Sequence, residues 1–385
     1  MRKKVCIGDL GTVVTGKTPS KSNKAFYGDY ALFLKPTDIS DCCKFTYKTE
    51  EMFSQLAADK FASSLIPKGA ICIPCIGTIG TKMTMSHCEC YTNQSINSII
   101  CNDKYDNEYV YYLMKNFLPN LKSYNLGTAS GREFISKSNF EKIEIVAEQD
   151  KNIQNEIGKF LSRYDSLIEN YQKQIKLLEE SAQRLYKEWF IDLRFPGHEN
   201  TKIVDGIPEG WEKKSVDSIF SIKYGKNLST TLISESGVFP VYGANGVIGY
   251  YDKANCNEQV VLITSRGNGS GDVLMTYHKE AFITNNSFIV TPLEEYLYCQ
   301  LPFTYQFLKC VNFRNVRTGA AQPQLTNQSI HTIDVILPTK DVIVEFCKKT
   351  DSNNSLIINL KEDIRHLTEA RDRLLPKLMS GEIEI

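Results

Sequence analysis

Two stretches of this chain carry residue types that could do chemistry at their observed spacing. Gly11-Thr12-Val13-Val14-Thr15-Gly16-Lys17-Thr18 matches G-x4-G-K-[ST], the pattern in which backbone N–H groups and a lysine cradle nucleotide phosphates. That use needs a helix opening at the Lys-Thr pair, yet Pro19-Ser20-Lys21-Ser22-Asn23-Lys24 follows, polar and without helical period. In the second half, Ser221-Ile222-Lys223-Tyr224-Gly225-Lys226-Asn227 keeps only the Gly-Lys, so the expectation is a turn common to two domains. Cys72, Cys75, Cys88 and Cys90, beside His87, have spacings a tetrahedral zinc site could use. An internal repeat places Thr264, Gly267, Glu280 and Phe282 at those positions, so the cysteines are expected to fill the core and no metal is expected. His87, His198, His278, His331 and His366 show no HExxH or triad spacing, and there is neither a G-x-S-x-G elbow nor a G-x-G-x-x-G fingerprint. The Asn/Asp-Pro-Pro-aromatic tetrapeptide of amino-methyltransferases is also missing. No catalytic residue and no cofactor bound by this chain are expected.

Polar recognition chemistry remains. Asn and Gln amides match adenine in the DNA major groove, and Arg or Lys match guanine. In the first half the candidates are Lys17, Thr18, Asn93, Gln94, Ser95, Thr128, Ser130 and Arg132. In the second they are Lys226, Arg266, Asn268, Asn285, Asn286, Arg314, Arg317, Gln322 and Gln324. They recur at matched places: Thr92-Asn93-Gln94-Ser95 reads against Thr284-Asn285-Asn286-Ser287, and Gly77 and Met83 against Gly269 and Met275.

The elements that must position these loops repeat too. Residues 1–148 read as mixed, largely extended structure, with strand-like runs at Ile71, Ile73 and Ile76 and at Ile96, Ile99 and Ile100, and a short helix from Tyr109 to Phe117. In 149–194 the period changes. Leu161, Tyr164, Ile168, Tyr171, Ile175, Leu178, Ala182, Leu185 and Trp189 step by three and four, a coiled-coil seam. Pro196-Gly197 and Gly206-Ile207-Pro208-Glu209-Gly210 stop that helix and read as linker, so 195–340 is linker plus a second recognition domain. The last helix, 341–385, carries Ile357, Leu360, Ile364, Leu367, Leu374 and Leu378, with Arg371 breaking the seam and Pro376 expected to kink or end it near Leu375. Ser166-Leu167-Ile168 with Arg184-Leu185 recurs as Ser355-Leu356-Ile357 with Arg373-Leu374. The fold class is therefore α+β: two mixed α/β domains, separated and followed by long helices that pair as an antiparallel coiled coil in a pseudo-two-fold repeat. A helix over 150–190 would measure roughly 60 Å at ~1.5 Å per residue, against about 34 Å between successive grooves on one duplex face.

Formal net charge is zero. Residues 1–148 hold 18 Lys+Arg against 15 Asp+Glu, and 205–340 hold 11 against 12, so neither half binds nucleic acid by bulk charge alone. No run approaches the ~20 apolar residues that span a bilayer, and no secretory h-region follows the basic start. Twelve cysteines then fit a reducing compartment, and the expected location is cytoplasmic.

In combination these features resemble the specificity subunit of type I restriction–modification enzymes, over essentially the whole length. The pieces that carry the resemblance are Gly16-Lys17-Thr18-Pro19-Ser20, Glu188-Trp189-Phe190 with Phe195-Pro196-Gly197, Ile207-Pro208-Glu209-Gly210-Trp211, and Leu375-Pro376-Lys377-Leu378-Met379-Ser380-Gly381-Glu382-Ile383. The resemblance implies that each domain reads one half of a bipartite DNA site. It also implies that the helices set the gap and bind two methyltransferase subunits, which use S-adenosylmethionine on adenine, and that motor–endonuclease subunits are further partners. The alternative is a stand-alone DNA-binding regulator or decoy without a methyltransferase.

Overall fold

The computed structural model describes residues 1–41, 43–125, 133–319 and 323–385. The chain forms two compact units, unit 1 (Met1–Asn170 with Ile364–Ile385) and unit 2 (Tyr171–Asp363). Both divisions fall inside the long helices, a central helix Lys151–Tyr186 and a terminal helix Lys340–Ser380. Along them, Ile168, Ile175, Ile357 and Leu360 are buried, and Tyr171, Leu178, Leu185, Ile364, Leu367 and Leu374 are half-buried, so the 3/4 spacing marks the packed face.

Unit 1 contributes β1 (Arg2–Cys6), β2 (Gly11–Thr15), β3 (Tyr27–Leu34), β4 (Met52–Phe53), β5 (Ile71–Pro74), β6 (Thr84–Met85), β7 (Cys90–Thr92), β8 (Ile96–Cys101) and β9 (Glu144–Glu148). β1 pairs with β9, an antiparallel sheet runs β2-β8-β5-β6, and a mixed sheet runs β4-β3-β7. Strand alternation divides the core. Ile71, Ile73 and Ile99 face the core helix Asn107–Phe117, while Cys72 and Ile96 face Leu34, Ile39 and Ile66 on the other side. Ile76 lies beyond β5, because the chain turns at Gly77 with φ near 81°.

Unit 2 opens with a hairpin, β10 (Ile203–Val204) and β11 (Ile207–Pro208), where the sequence suggested only a linker. Asp205 and Gly206 both take positive φ at its tip, the Asp-Gly turn that short hairpins favour. There follow β12 (Glu212–Ser215), β13 (Phe220–Tyr224), β14 (Phe239–Gly243), β15 (Gly246–Tyr251), β16 (Val261–Thr264), β17 (Val273–Met275), β18 (Phe282–Ile283), β19 (Ser287–Pro292) and β20 (Asp334–Leu337). The sheet orders repeat unit 1: β12 with β20, then β13-β19-β16-β17, then β15-β14-β18. Its core helix is Leu301–Cys310.

Inside each unit the two long helices run antiparallel. In unit 1, Ile157 and Leu161 share a core with Leu375, Leu378 and Met379. One turn further along, Asp165 meets Arg371 Nη1 at 2.5 Å and accepts the Tyr112 hydroxyl at 2.5 Å. Arg371 therefore breaks the apolar seam only to pair with a buried carboxylate. Burial, then the Asp165 carboxylate, push the Tyr112 hydroxyl far above its usual range and keep it a proton donor. In unit 2, Tyr186, Trp189 and Phe190 pack on Phe303 and Phe346, with Phe190 and Phe303 ring centres 5.4 Å apart. There Lys361 Nζ lies 3.8 Å from Glu179 and 3.1 Å above the Tyr277 ring.

Pro376 does not end the terminal helix, which continues to Ser380. Tertiary contacts override the lost backbone bond: Leu375, Leu378 and Met379 are buried, and Arg2 donates to the carbonyls of Met379 and Leu378, both at 2.9 Å.

Arg371→Met should cost about 3–5 kcal/mol in urea unfolding, because it strands Asp165 in the core. Asp165→Leu with Arg371→Met should recover most of that loss; an unaffected single variant would show that the pair holds nothing. Burial lowers the Lys361 ammonium to about 8, against the attraction of Glu179. Between pH 8 and the ordinary lysine range the unfolded chain holds a proton the folded one lacks, so this group adds stability as pH rises and loses it as pH falls through about 8. Melting curves should show wild type gaining on Lys361→Met from pH 7.5 to 10, and a pH-independent difference would contradict this.

Candidate nucleic-acid interface

Strand direction brings the polar loops together. β2 and β5 both run antiparallel to β8, so their C-terminal ends lie at its start, Ile96. β7 leads into β8 through Asn93-Gln94-Ser95, and β3 runs parallel to β7. The exits of β2, β3, β5 and β7 therefore share one edge of unit 1. By the same pairings the exits of β13, β14, β16 and β18 share one edge of unit 2.

Backbone hydrogen bonds stitch each edge in the same way. Gly16 N donates to Ile96 O (3.3 Å), Lys17 N to Thr92 O (3.0 Å), Cys75 N to Ser95 O (2.7 Å), Ile135 N to Cys75 O (3.0 Å) and Gly77 N to Glu133 O (3.1 Å). The unit 2 counterparts are Gly225 N to Ser287 O (3.0 Å), Lys226 N to Ile283 O (2.9 Å), Ser265 N to Asn286 O (2.8 Å), Leu325 N to Ser265 O (2.7 Å) and Gly267 N to Pro323 O (2.9 Å). This pattern corrects the repeat register read from residue identity. Asn93 N bonds Leu34 O as Thr284 N bonds Tyr242 O, so Asn93 corresponds to Thr284, Gln94 to Asn285 and Ser95 to Asn286. Likewise Gly77 matches Gly267 rather than Gly269, and Met275 matches Met85 rather than Met83.

The shared Gly-Lys turn has a steric cause. A Cβ on Gly16 would lie 2.0 Å from Thr92 O, and one on Gly225 would lie 2.3 Å from Thr284 O. Residues 11–15 form β2 and no helix opens at Lys17-Thr18, so this stretch is not a phosphate-binding loop. Three of the four cysteines are core residues: Cys72 and Cys90 lie buried among Leu34, Ile39, Ile66 and Ile96, and Cys75 on the opposite side of the sheet, while Cys88 is half-buried outside the core. Among the described residues no cluster of three or more His, Cys, Asp or Glu could hold a metal ion.

The side chains at the edges are unlike. In unit 1, Lys17, Thr18 and Gln94 are exposed, with the Thr18 hydroxyl donating to Gln94 Oε1. Asn93 is half-buried and its Oδ1 accepts Ser95 N at 3.0 Å, fixing the turn rather than projecting outward. Thr128, Ser130, Arg132 and Gln322 lie outside the described residues. In unit 2, Lys226, Arg266, Asn268 and Gln324 are exposed and Asn285 and Asn286 half-buried, and Arg266 bridges Gln324 through the backbone. Arg314 and Arg317 face the β16–β17 connection: Arg314 meets Asp272 Oδ1 at 2.8 Å, and half-buried Arg317 donates to Ser270 O. One exposed polar group at this edge escaped the sequence reading, Asn245 at the tip of the β14–β15 hairpin. Gly243-Ala244-Asn245-Gly246 between two apolar runs is a readable hairpin signature.

Two copies of one α+β unit, each presenting an edge with the same backbone and different side chains, define a duplicated recognition protein. The family described as "Type I restriction modification DNA specificity domain" matches residues 2–180 and 208–366, and the chain belongs to it. It is a recognition chain, not a catalytic one. It is 27% identical to the type I restriction enzyme MjaIX specificity subunit of Methanocaldococcus jannaschii, over 98% of this chain and 93% of that protein. It is 35% identical to the HindI specificity subunit of Haemophilus influenzae over 176 residues, 45% of this chain and 38% of that one. The crystal structure of the type I S subunit from M. genitalium shares its fold, with a TM-score of 0.60 at 20% identity, covering 98% of this chain and 96% of that chain.

Gly16→Ala should unseat the turn from Thr92. Hydrogen exchange is expected to speed up at Lys17 and Asn93 while the core helix Asn107–Phe117 keeps its protection; unchanged exchange at the turn would refute the steric account.

Proposed function

We propose that this chain is the DNA-specificity subunit of a type I restriction–modification complex, in which unit 1 and unit 2 each read one half of a bipartite, asymmetric site. The observation that carries the reading is the repeated strand-end edge: one backbone frame, held by matched hydrogen bonds, displaying different polar side chains in each copy. Lys17, Thr18 and Gln94 would read one half-site, and Lys226, Arg266, Asn268, Asn285, Asn286 and Gln324 the other. Arg314 and Arg317 would act by shaping the loop they are bonded to. Unlike side chains imply unlike half-sites, hence an asymmetric sequence.

In this reading the paired helices set the gap and dock two copies of an adenine methyltransferase subunit, which alone binds S-adenosylmethionine. Motor–endonuclease subunits join the same complex, which works in the cytoplasm. Among the described residues no helix is long and apolar enough to cross a membrane, which accords with that setting. A net charge of zero means that partner surfaces supply much of the grip on phosphate, so DNA affinity of the whole complex should fall steeply with salt.

Sequencing of genomic methylation in cells with and without this chain tests the proposal. A split, non-palindromic adenine-methylation motif should appear only when the chain is present; a continuous or palindromic motif, or none, would overturn it.

A further inference from the structure

The exits of β3 and β14 occupy the same place in the two units, since Asn93 N bonds Leu34 O and Thr284 N bonds Tyr242 O. What the chain does there differs. After β3 it enters a 17-residue connection, 35–51, whose first residue Lys35 is neutralised by Glu50 at 3.0 Å and Glu51 at 3.1 Å. After β14 it turns back at once, and the tip is held from beneath by buried hydroxyls: Thr264 Oγ1 donates to Ala244 O at 2.7 Å and Ser287 Oγ to Gly243 O at 3.2 Å. Asn245 stands exposed on this fixed tip, and its Oδ1 is 3.3 Å from where a Cβ on Gly269 would sit, beside the loop that carries Arg266 and Asn268. Val247 and Ile248, 45% and 47% exposed, flank it.

We infer that Asn245 is a specificity-determining residue of unit 2, reading an A·T pair in its half-site, with no counterpart among the described residues of unit 1. A carboxamide offers the donor and acceptor that match adenine N6 and N7, and an apolar neighbour suits the thymine methyl. Immobilising the tip through Thr264 and Ser287 lowers the entropy lost when the amide is engaged. Leaving Gly269 without a Cβ keeps the amide's side of the loop clear. This inference rests on the DNA-reading role proposed above.

The test compares wild-type chain and Asn245→Ala, each co-expressed with its methyltransferase partner, by genomic methylation sequencing and by methylation rates on duplexes carrying the wild-type motif with single-base changes. The variant should lose about 5- to 150-fold discrimination at one A·T position in one half of the motif, with the other half and the gap unchanged. Asn245→Gln should restore part of that preference. An unchanged motif would overturn the inference. So would equal loss over both halves, since that reports folding or backbone grip. A wild-type chain that gives no split motif would instead sink the underlying proposal, and this one with it.

Discussion

A single backbone lock organises each unit. At the end of β5 the peptide of Cys75 donates to Ser95 O and accepts from Ile135 N, and at the end of β16 the peptide of Ser265 does the same with Asn286 and Leu325. Three segments distant in sequence are thus fixed at one point by main-chain groups, which every non-proline residue carries. Because the frame asks nothing of the side chains, those side chains are free to differ between the copies without loss of fold. At the shared turn the main chains approach too closely for a side chain, and there both copies keep glycine, at Gly16 and Gly225.

The helices solve a different problem. Two amphipathic helices with apolar seams can slide by a turn at small cost, since one leucine layer resembles the next. A buried ion pair removes that degeneracy, because any slip leaves Asp165 or Arg371 dehydrated and alone. Unit 2 uses a softer version, Glu179 with Lys361 over the Tyr277 ring. In both units an aromatic residue of the globular part, Tyr112 or Tyr277, touches the polar contact, so the register of the helices and the seating of the domain are one decision.

Much of this was legible in the sequence, where long-range order leaves a periodic trace. The 3/4 spacing gave both long helices, and the Gly-Lys recurrence gave the shared turn. What failed did so for identifiable reasons. Matching Thr92–Ser95 to Thr284–Ser287 by residue identity was one position out, because structural equivalence follows the hydrogen-bond ladder and not the side chains that happen to agree. Pro376 is expected to kink or end its helix, and the ending loses to three buried apolar residues and an arginine capping the last carbonyls. Arg371 is legible as a polar break in the seam, but its partner Asp165 is not, because it lies 206 residues away in sequence. Of the polar loop residues proposed from composition, Asn93 is bonded within its own loop and Arg314 and Arg317 to the neighbouring β16–β17 connection, which no spacing reveals.

That last distinction shapes how the two edges can differ in chemistry. A polar side chain already satisfied inside its loop must give up a bond before it can meet a base, so it contributes shape more than discrimination. Among the described residues the unit 1 edge exposes Lys17, Thr18 and Gln94, and Lys35 at the β3 exit is paired with Glu50 and Glu51. The unit 2 edge exposes Lys226, Arg266, Asn268 and the β14–β15 tip. Among the described residues the two edges thus differ in which polar side chains their own contacts already hold. Two domains with one backbone frame can in this way present unlike edges through changes confined to the connections between strands.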